Sequence, residues 1–104
     1  MNTPIQKIGF IGLGVMGEPM CANLLRKSGL PVTVYDQSAE PVQRLATLGA
    51  TPADSIESVA AQADVVFLSL PSIKQVEVVA TALLQASAKP RMIVDMSTSD
   101  VEKT

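Results

Sequence analysis

The sequence lacks histidine and tryptophan altogether, and its 104 residues include a single cysteine. Without histidine, a general base in this chain has to be a carboxylate, a lysine or Tyr35. The lone Cys21 excludes an internal disulfide, and the lack of a Cys/His cluster leaves no candidate for a structural metal site. The sequence therefore predicts no metal ligand, and it shows no catalytic group in a recognisable arrangement.

An excess of positive charge is also missing. The chain has eight basic and ten acidic residues, its net charge is −2, and aromatic residues make up 3% of it. Nucleic-acid binding relies on clustered basic groups and on aromatic stacking, so a nucleic-acid partner is not expected. The N-terminus has no signal-peptide run, and no uncharged apolar run approaches the roughly 20 residues of a membrane span. These absences predict a cytoplasmic domain with no membrane partner.

What the sequence does contain is an alternation of apolar runs and helical patterns. The runs are short, rich in Val and Ile and nearly continuous, as in strands that helices cover on both faces. Strands are predicted at Lys7–Ile11, Val32–Tyr35, Val65–Leu70 and Met92–Asp95, with a weaker one at Ala50–Thr51. Such alternation predicts an α/β fold with a doubly wound parallel sheet, and we expect one domain over residues 1–104.

Three pairs of side chains are spaced as capping boxes at helix starts. They are Asp54 with Glu57, Ser72 with Gln75, and Ser99 with Glu102. The last pair opens a helix that has barely one turn before the chain ends, so we expect the sheet to be incomplete at its C-terminal end.

The most informative local pattern is a glycine-rich turn between the first predicted strand and the first helix. It reads Gly12-Leu13-Gly14-Val15-Met16-Gly17. In a G-x-G-x-x-G turn, the first glycine permits the tight turn, the second lets the backbone approach a pyrophosphate, and the third allows close helix–strand packing. The phosphates would meet free N–H groups at the positive end of the helix dipole. The turn therefore predicts a dinucleotide site, and the alternative is a glycine-rich turn that binds nothing.

An acidic residue follows the second predicted strand. Asp36 lies about 20 residues beyond the glycines, where a carboxylate accepts hydrogen bonds from the ribose hydroxyls of NAD. A 2′-phosphate would meet like charge there, and Gln37 and Ser38 offer no guanidinium to offset it. The sequence therefore favours NAD without excluding NADP. The alternative is that Asp36 only caps a helix that starts near Ala39.

Two further strand ends carry candidate contacts, because ligands of such sheets bind beyond the carboxyl ends of the strands. Pro71 stops the fourth apolar run, so Leu70 is expected beneath the nicotinamide ribose. Ser97 and Thr98 follow the last run and are placed to donate to a carboxylate or to the nicotinamide. They equally fit a hydroxyl-rich strand-to-helix turn without a ligand.

Three segments of the chain match a known family signature when they are taken together. They are Ile8–Gly17 followed by Pro19–Met20 and Asn23–Leu24, then Leu70-Pro71-Ser72, and then Asp95-Met96-Ser97-Thr98. With them the chain resembles, over essentially its whole length, the β-hydroxyacid dehydrogenases, which include 3-hydroxyisobutyrate dehydrogenase, tartronate semialdehyde reductase and the 6-phosphogluconate dehydrogenases. The resemblance implies the N-terminal, Rossmann-type NAD(P)-binding domain of such an enzyme.

The resemblance also implies roles for individual residues. The cofactor would contact Gly12, Leu13, Gly14, Val15, Met16, Gly17, Asp36, Leu70, Pro71, Gln75 and Thr98, and the substrate would contact Ser97 and Thr98. Gln75 stands where relatives often carry Asn, and Val101 replaces their proline. The family's catalytic lysine has no match up to Thr104, and neither Lys74 nor Lys103 takes that role.

At the level of the whole protein, the resemblance implies an oxidoreductase that transfers a hydride between a nicotinamide cofactor and a 3-hydroxy acid. A helical domain would complete the active site and build a homo-oligomer, and this chain alone would bind the cofactor without turnover. One alternative is a stand-alone dinucleotide-binding module. A methyltransferase that binds S-adenosylmethionine fits the glycine spacing less well. Hydroxy acids and imines are not distinguished as substrates.

Overall fold

In the computed structural model, which describes residues 6–14, 17–70, 72–86 and 90–96, strands and helices alternate along the chain. The strands are β1 (Ile8–Ile11), β2 (Val32–Tyr35), β3 (Thr51–Pro52), β4 (Val65–Leu68) and β5 (Met92–Asp95). The helices are α1 (Gly17–Ser28), α2 (Ala39–Thr47), α3 (Ile56–Gln62) and α4 (Ile73–Gln85). The order of elements is the one that the apolar runs predict.

All five described strands are parallel and lie in the order β3-β2-β1-β4-β5. The first strand is therefore central, and Ile8 pairs with Val32 on one side and Val65 on the other. This confirms the predicted α/β, doubly wound parallel sheet. The strands differ from the prediction at their ends: β4 stops two residues before Leu70, and the short strand is Thr51–Pro52.

Successive side chains of the central strands are buried on alternate faces of the sheet. Phe10 and Phe67 point to the layer of α1 and α2, where their rings stack with centroids 6.0 Å apart. Ile11 and Leu68, one residue further along each strand, point to the opposite layer of α3 and α4. Side chains alternate across a strand, so a strand covered on both faces has to be apolar at successive positions. The uninterrupted apolar runs of the sequence are the result.

Gly9 sets how closely α3 approaches the sheet. A Cβ at this position would lie 2.6 Å from Cγ1 of Val59 and 2.9 Å from Cβ of Ala63. The missing side chain thus makes room for the buried face of α3 on the central strand. A larger side chain at this position would therefore push α3 away from the central strand.

The helix starts agree with the predicted caps at one position and differ at another. Ser72 caps α4, and its hydroxyl oxygen accepts a hydrogen bond from the Gln75 N–H at 3.2 Å. The prediction that Asp54 caps α3 is wrong: Ser55 is the cap, and its Oγ accepts from the Ser58 N–H at 3.1 Å. The extended backbone at Ser55 aims its hydroxyl at the first turn, and Asp54 lies one residue too early. Ser99 and Glu102 lie outside the described residues.

Cys21 packs inside the layer between α1 and the sheet and is fully buried. Burial raises the pKa of its thiol to about 12, so the sulfur behaves as a small apolar group. Among the helices of the described part of the chain, none combines the length and apolar character that crossing a membrane needs.

Candidate functional site

A cavity of about 610 Å³ opens at the carboxyl ends of the strands. It lies between β1 and β4, because the chain continues from β1 to its neighbour β2 on one side and from β4 to its neighbour β5 on the other. This is the switch in strand order at which open α/β sheets bind ligands. Five parts of the chain form its walls: the turn after β1, the loop after β2, the start of α3, the loop after β4, and the first turns of α4. Its volume lies within the usual range for small-molecule sites.

The turn after β1 is held between the ends of the two neighbouring strands. The Gly12 N–H donates to the carbonyl of Tyr35 at 3.1 Å, and the Ser69 N–H donates to the carbonyl of Ile11 at 3.0 Å. Gly12 has φ +95°, and a Cβ on it would lie 2.2 Å from the Ser69 carbonyl oxygen. The position therefore excludes any side chain on both conformational and steric grounds.

The other two glycines of the turn differ from Gly12 in their surroundings. A Cβ on Gly14 would have no atom of the described residues within 4 Å, its chain neighbours aside, and the backbone there lies at the cavity wall. A Cβ on Gly17 would lie 2.2 Å from the Gly12 carbonyl oxygen and 3.2 Å from Cβ of Ser69. The first turn of α1 thus packs directly on the backbone of the glycine turn. Val15 and Met16 lie outside the described residues.

Asp36 reaches from the end of β2 to the glycine turn. Its Oδ2 accepts a hydrogen bond from the Leu13 N–H, and its Oδ1 accepts from the Ser38 N–H at 2.8 Å. Ser38 stands at the N-cap position of α2 and makes no capping bond with its side chain. Asp36 accepts from the Leu13 N–H of the glycine turn as well as from Ser38, so the alternative in which it only caps that helix is wrong. The carboxylate instead lines the cavity, bonded to backbone groups of two loops.

The remaining predicted contacts lie on the far wall of the cavity or outside the described part. Leu70 is half-buried, and its Cδ2 would lie 2.9 Å from a Cβ on Gly12, so its side chain packs against the turn. Gln75 lines the cavity from the first turn of α4. Pro71, Ser97 and Thr98 lie outside the described residues.

Several lining residues were not identified by sequence reasoning. They are Tyr35, Ile56, Ser69, Lys74, Val78 and Val79. Of the described residues that line the cavity, Lys74 is the one cation and Asp36 the one anion. The available signal was the spacing on α4, because Lys74 and Val78 are four residues apart and share a helix face. That face could be assigned to the cavity only once the strand order was known.

A second, smaller cavity of about 450 Å³ lies on the α1 and α2 side of the same turn. Glu18 and Arg44 form a two-bond ion pair at this side, with Oε2 to Nε at 2.6 Å and Oε1 to Nη2 at 2.8 Å. The hydrogen bond from Arg44 lowers the pKa of Glu18. The pair is exposed, so it orients the two helices more than it stabilises them.

The model of the NAD binding domain of 6-phosphogluconate dehydrogenase matches residues 7–104. This chain belongs to that family. The matched range includes the glycine turn, Asp36 and the two motifs that begin at Leu70 and Asp95. It confirms the resemblance that the motifs indicate. The cavity at the switch point is therefore that of a dinucleotide-binding domain.

Individual relatives agree with the family assignment. The chain is 41% identical over 101 residues to 2-(hydroxymethyl)glutarate dehydrogenase of Eubacterium barkeri, covering 94% of this chain and 33% of the relative. It is 40% identical over 95 residues to 2-hydroxy-3-oxopropionate reductase of Escherichia coli strain K12, covering 88% and 32%. A solved structure of Mycobacterium tuberculosis 3-hydroxyisobutyrate dehydrogenase with L-serine superimposes with a TM-score of 0.83 at 34% identity, covering 91% and 32%. The chain thus spans about a third of the length of these proteins.

Proposed function

We propose that this chain is the cofactor-binding part of an oxidoreductase that transfers a hydride between NAD and a 3-hydroxy acid. The observation that carries the proposal is the joining of Asp36 to the glycine turn along one cavity at the switch point. A diphosphate group and a ribose are the two parts of a dinucleotide that such a turn and such a carboxylate recognise.

The pyrophosphate is proposed to lie over Gly14, at the N-terminus of α1. Among the described residues beyond its chain neighbours, no atom lies within 4 Å of a Cβ placed on Gly14, and the helix behind it has twelve residues. Unpaired N–H groups and the positive end of the helix dipole favour an anion at this position. Val15 and Met16, which complete the motif, are proposed as further contacts of the same group.

The adenosine ribose is proposed to hydrogen-bond to Asp36. Each carboxylate oxygen already accepts one backbone N–H and keeps a second lone-pair site for a ribose hydroxyl. The negative charge disfavours the 2′-phosphate of NADP, whereas Lys74 in the same cavity reduces that penalty. We therefore propose NAD as the preferred cofactor and NADP as a weaker ligand.

The nicotinamide half is proposed to lie beyond β4 and β5. Leu70 and Pro71 would support the nicotinamide side, Gln75 and Thr98 would contact the cofactor, and Ser97 with Thr98 would bind the substrate carboxylate. The nicotinamide supplies the hydride chemistry when it is bound. The catalytic lysine, a helical domain and the homo-oligomer are proposed for the complete enzyme, and the cytoplasmic location stays a prediction.

The cofactor preference is tested by comparing dissociation constants for NADH and NADPH on the full chain. We expect NADH to bind more tightly, because only NADPH adds a 2′-phosphate beside the carboxylate of Asp36. Asp36→Ala should weaken NADH about tenfold by removing charged hydrogen bonds, and should narrow the difference between the two cofactors. Isothermal titration calorimetry measures both constants.

Asp54→Ala is the matched control for this experiment, because it removes an exposed carboxylate that does not line the cavity. It should leave both dissociation constants unchanged. Tighter binding of NADPH than of NADH by the unmodified chain would contradict the preference. Failure to bind either cofactor would contradict the proposed function itself.

A further inference from the structure

The Leu13 N–H belongs to a buried residue of the glycine turn. Leu13 is 2% exposed, and its side chain packs in the core cluster with Phe10 and Cys21. A buried backbone N–H has to be paired, and here its partner is the carboxylate of Asp36. A hydrogen bond to a charged acceptor is among the stronger ones in proteins.

We propose that Asp36 is a positioning residue for the glycine turn in addition to being a ribose acceptor. Its carboxylate holds the Leu13 N–H and so fixes the turn in the shape that receives a diphosphate. This inference rests on the proposed function, because it specifies how that same site is kept ready for its ligand.

The second oxygen of the carboxylate makes the arrangement rigid. Oδ1 accepts from the Ser38 N–H at 2.8 Å, while Oδ2 accepts from Leu13. The carboxyl plane is therefore fixed from two loops at once, one after β1 and one after β2. Below it, the bond from the Gly12 N–H to the Tyr35 carbonyl at 3.1 Å joins the same two strand ends. Together these bonds join the glycine turn to the end of β2.

In this arrangement the Leu13 N–H binds Asp36 and does not bind the cofactor. Its hydrogen is already donated to Asp36, so the diphosphate has to be received by other groups of the turn, where Gly14 leaves the backbone open. A carboxylate close to a diphosphate also repels it. If Asp36 acted only through the ribose, a ligand without ribose hydroxyls would therefore bind better once the carboxylate was neutralised.

The test uses 2′,3′-dideoxyadenosine 5′-diphosphate, which keeps the diphosphate and lacks both ribose hydroxyls. Asp36→Asn and Asp36→Ala have the same charge, but only asparagine keeps an oxygen that can accept the Leu13 N–H. We expect Asp36→Asn to bind this probe about 5-fold more tightly than Asp36→Ala, the effect of one hydrogen bond. Equal affinities of the two variants would overturn the inference.

ADP separates this result from failure of the proposed function. Both variants should bind ADP more weakly than the unmodified chain, because both lose the hydrogen bonds between the ribose hydroxyls and the charged carboxylate of Asp36. If the unmodified chain binds neither ADP nor NADH, the proposed function falls. If it binds both, and the two variants bind the dideoxy probe equally, only the positioning role falls.

A second measurement needs no variant and so does not depend on how Asp36→Ala folds. Nuclear magnetic resonance of the ¹⁵N-labelled, unmodified chain follows each amide as the dideoxy probe is added. We expect the Leu13 amide to exchange slowly with solvent before addition and to shift less than the Gly14 amide on binding. A Leu13 amide that exchanges rapidly, or that shifts more than Gly14, would contradict its assignment to Asp36.

Discussion

At the scale of single residues, the glycine turn shows that glycine can be required for different physical reasons at different positions of one motif. Gly12 is required by the fold, since its φ is +95° and a Cβ would lie 2.2 Å from a backbone oxygen. Gly14 shows no such constraint, because no described residue beyond its chain neighbours comes within 4 Å of a Cβ placed there. The requirement at Gly14 comes from the proposed ligand alone, so stability and binding should separate between these two positions.

We expect Gly12→Ala to lower the free energy of unfolding by at least ~2 kcal/mol, because it adds backbone strain and a steric clash. Gly14→Ala should change the free energy of unfolding by less than ~0.5 kcal/mol and still weaken NADH about tenfold, since a methyl group keeps the diphosphate off the backbone. Urea unfolding and NADH titration measure the two effects.

Gly49→Ala separates the two causes at Gly12. Gly49 has φ +113° but no atom within 4 Å of a Cβ, so this variant reports backbone strain without a clash. Its effect on stability should be clearly smaller than that of Gly12→Ala. If Gly14→Ala proved as destabilising as Gly12→Ala, the assignment of Gly14 to the ligand would be contradicted.

At the scale of elements, the start of α3 depends on which of two neighbouring side chains reaches the first turn. Asp54 and Ser55 are both good capping residues, and both precede the apolar face of the helix. The structure gives Ser55 the capping bond at 3.1 Å, and its backbone is extended, with φ −157° and ψ 166°. The spacing of Asp54 and Glu57 is therefore a coincidence of the sequence.

Ser55→Ala should lower the free energy of unfolding by about 1 kcal/mol, because the Ser58 N–H loses its acceptor. Asp54→Ala should change it by less than ~0.5 kcal/mol, as for an ordinary surface position. Urea denaturation of the two variants under the same conditions makes the comparison. The opposite order of the two effects would restore Asp54 as the cap.

The elements were predictable from sequence where their own residues determine them. Val32–Tyr35 and Met92–Asp95 match the predicted strands residue for residue. The expected burial on both faces holds for Val32–Val34, whereas β5 lies at the edge of the described sheet, where Met92 is 52% exposed. The contacts that complete the site were not predictable in this way. The bond from Leu13 to Asp36 and the entry of Lys74 into the cavity join distant parts of the chain, and they exist only because of the strand order.

At the scale of the whole molecule, Asp64 connects the amino ends of three strands, at the end of the sheet opposite the cavity. Its Oδ2 accepts from the N–H groups of Gln6 at 2.8 Å and Lys7 at 3.0 Å, just before β1. Its carbonyl accepts from the N–H groups of Arg91 at 2.7 Å and Met92 at 3.2 Å, at the start of β5. One residue before β4 thus anchors the amino ends of its two neighbours.

The charge of Asp64 makes the stability of the protein depend on pH. The bond from the Gln6 N–H is the main cause that holds the pKa of Asp64 below its ordinary value of 3.8, with Lys7 and Arg91 adding to it. A carboxyl group with a lowered folded pKa stabilises the fold fully above its unfolded pKa. That stabilisation is lost as the pH falls through the folded pKa. Asp64→Asn should therefore lower the unfolding temperature at neutral pH, and the difference from the unmodified chain should shrink below about pH 4.

Thermal unfolding at a series of pH values measures this difference. Asp54→Asn serves as the control, because it neutralises an exposed carboxylate outside the network of Asp64. It should leave the unfolding temperature nearly unchanged at neutral pH. A difference between Asp64→Asn and the unmodified chain that stayed constant down to pH 2 would exclude the charge of Asp64 as its source.

The central position of β1 also affects how the protein is made. β1 leaves the ribosome before the other described strands, but one of its edges pairs with Val65–Leu68, which is synthesised much later. During that interval the segment Ile8–Ile11 carries an open edge of apolar residues, the kind of surface on which nascent chains aggregate. Substitutions that delay the docking of β4 lengthen this interval. They would therefore lower the yield of native protein in the cell even where the finished molecule is as stable as before and its cavity is untouched.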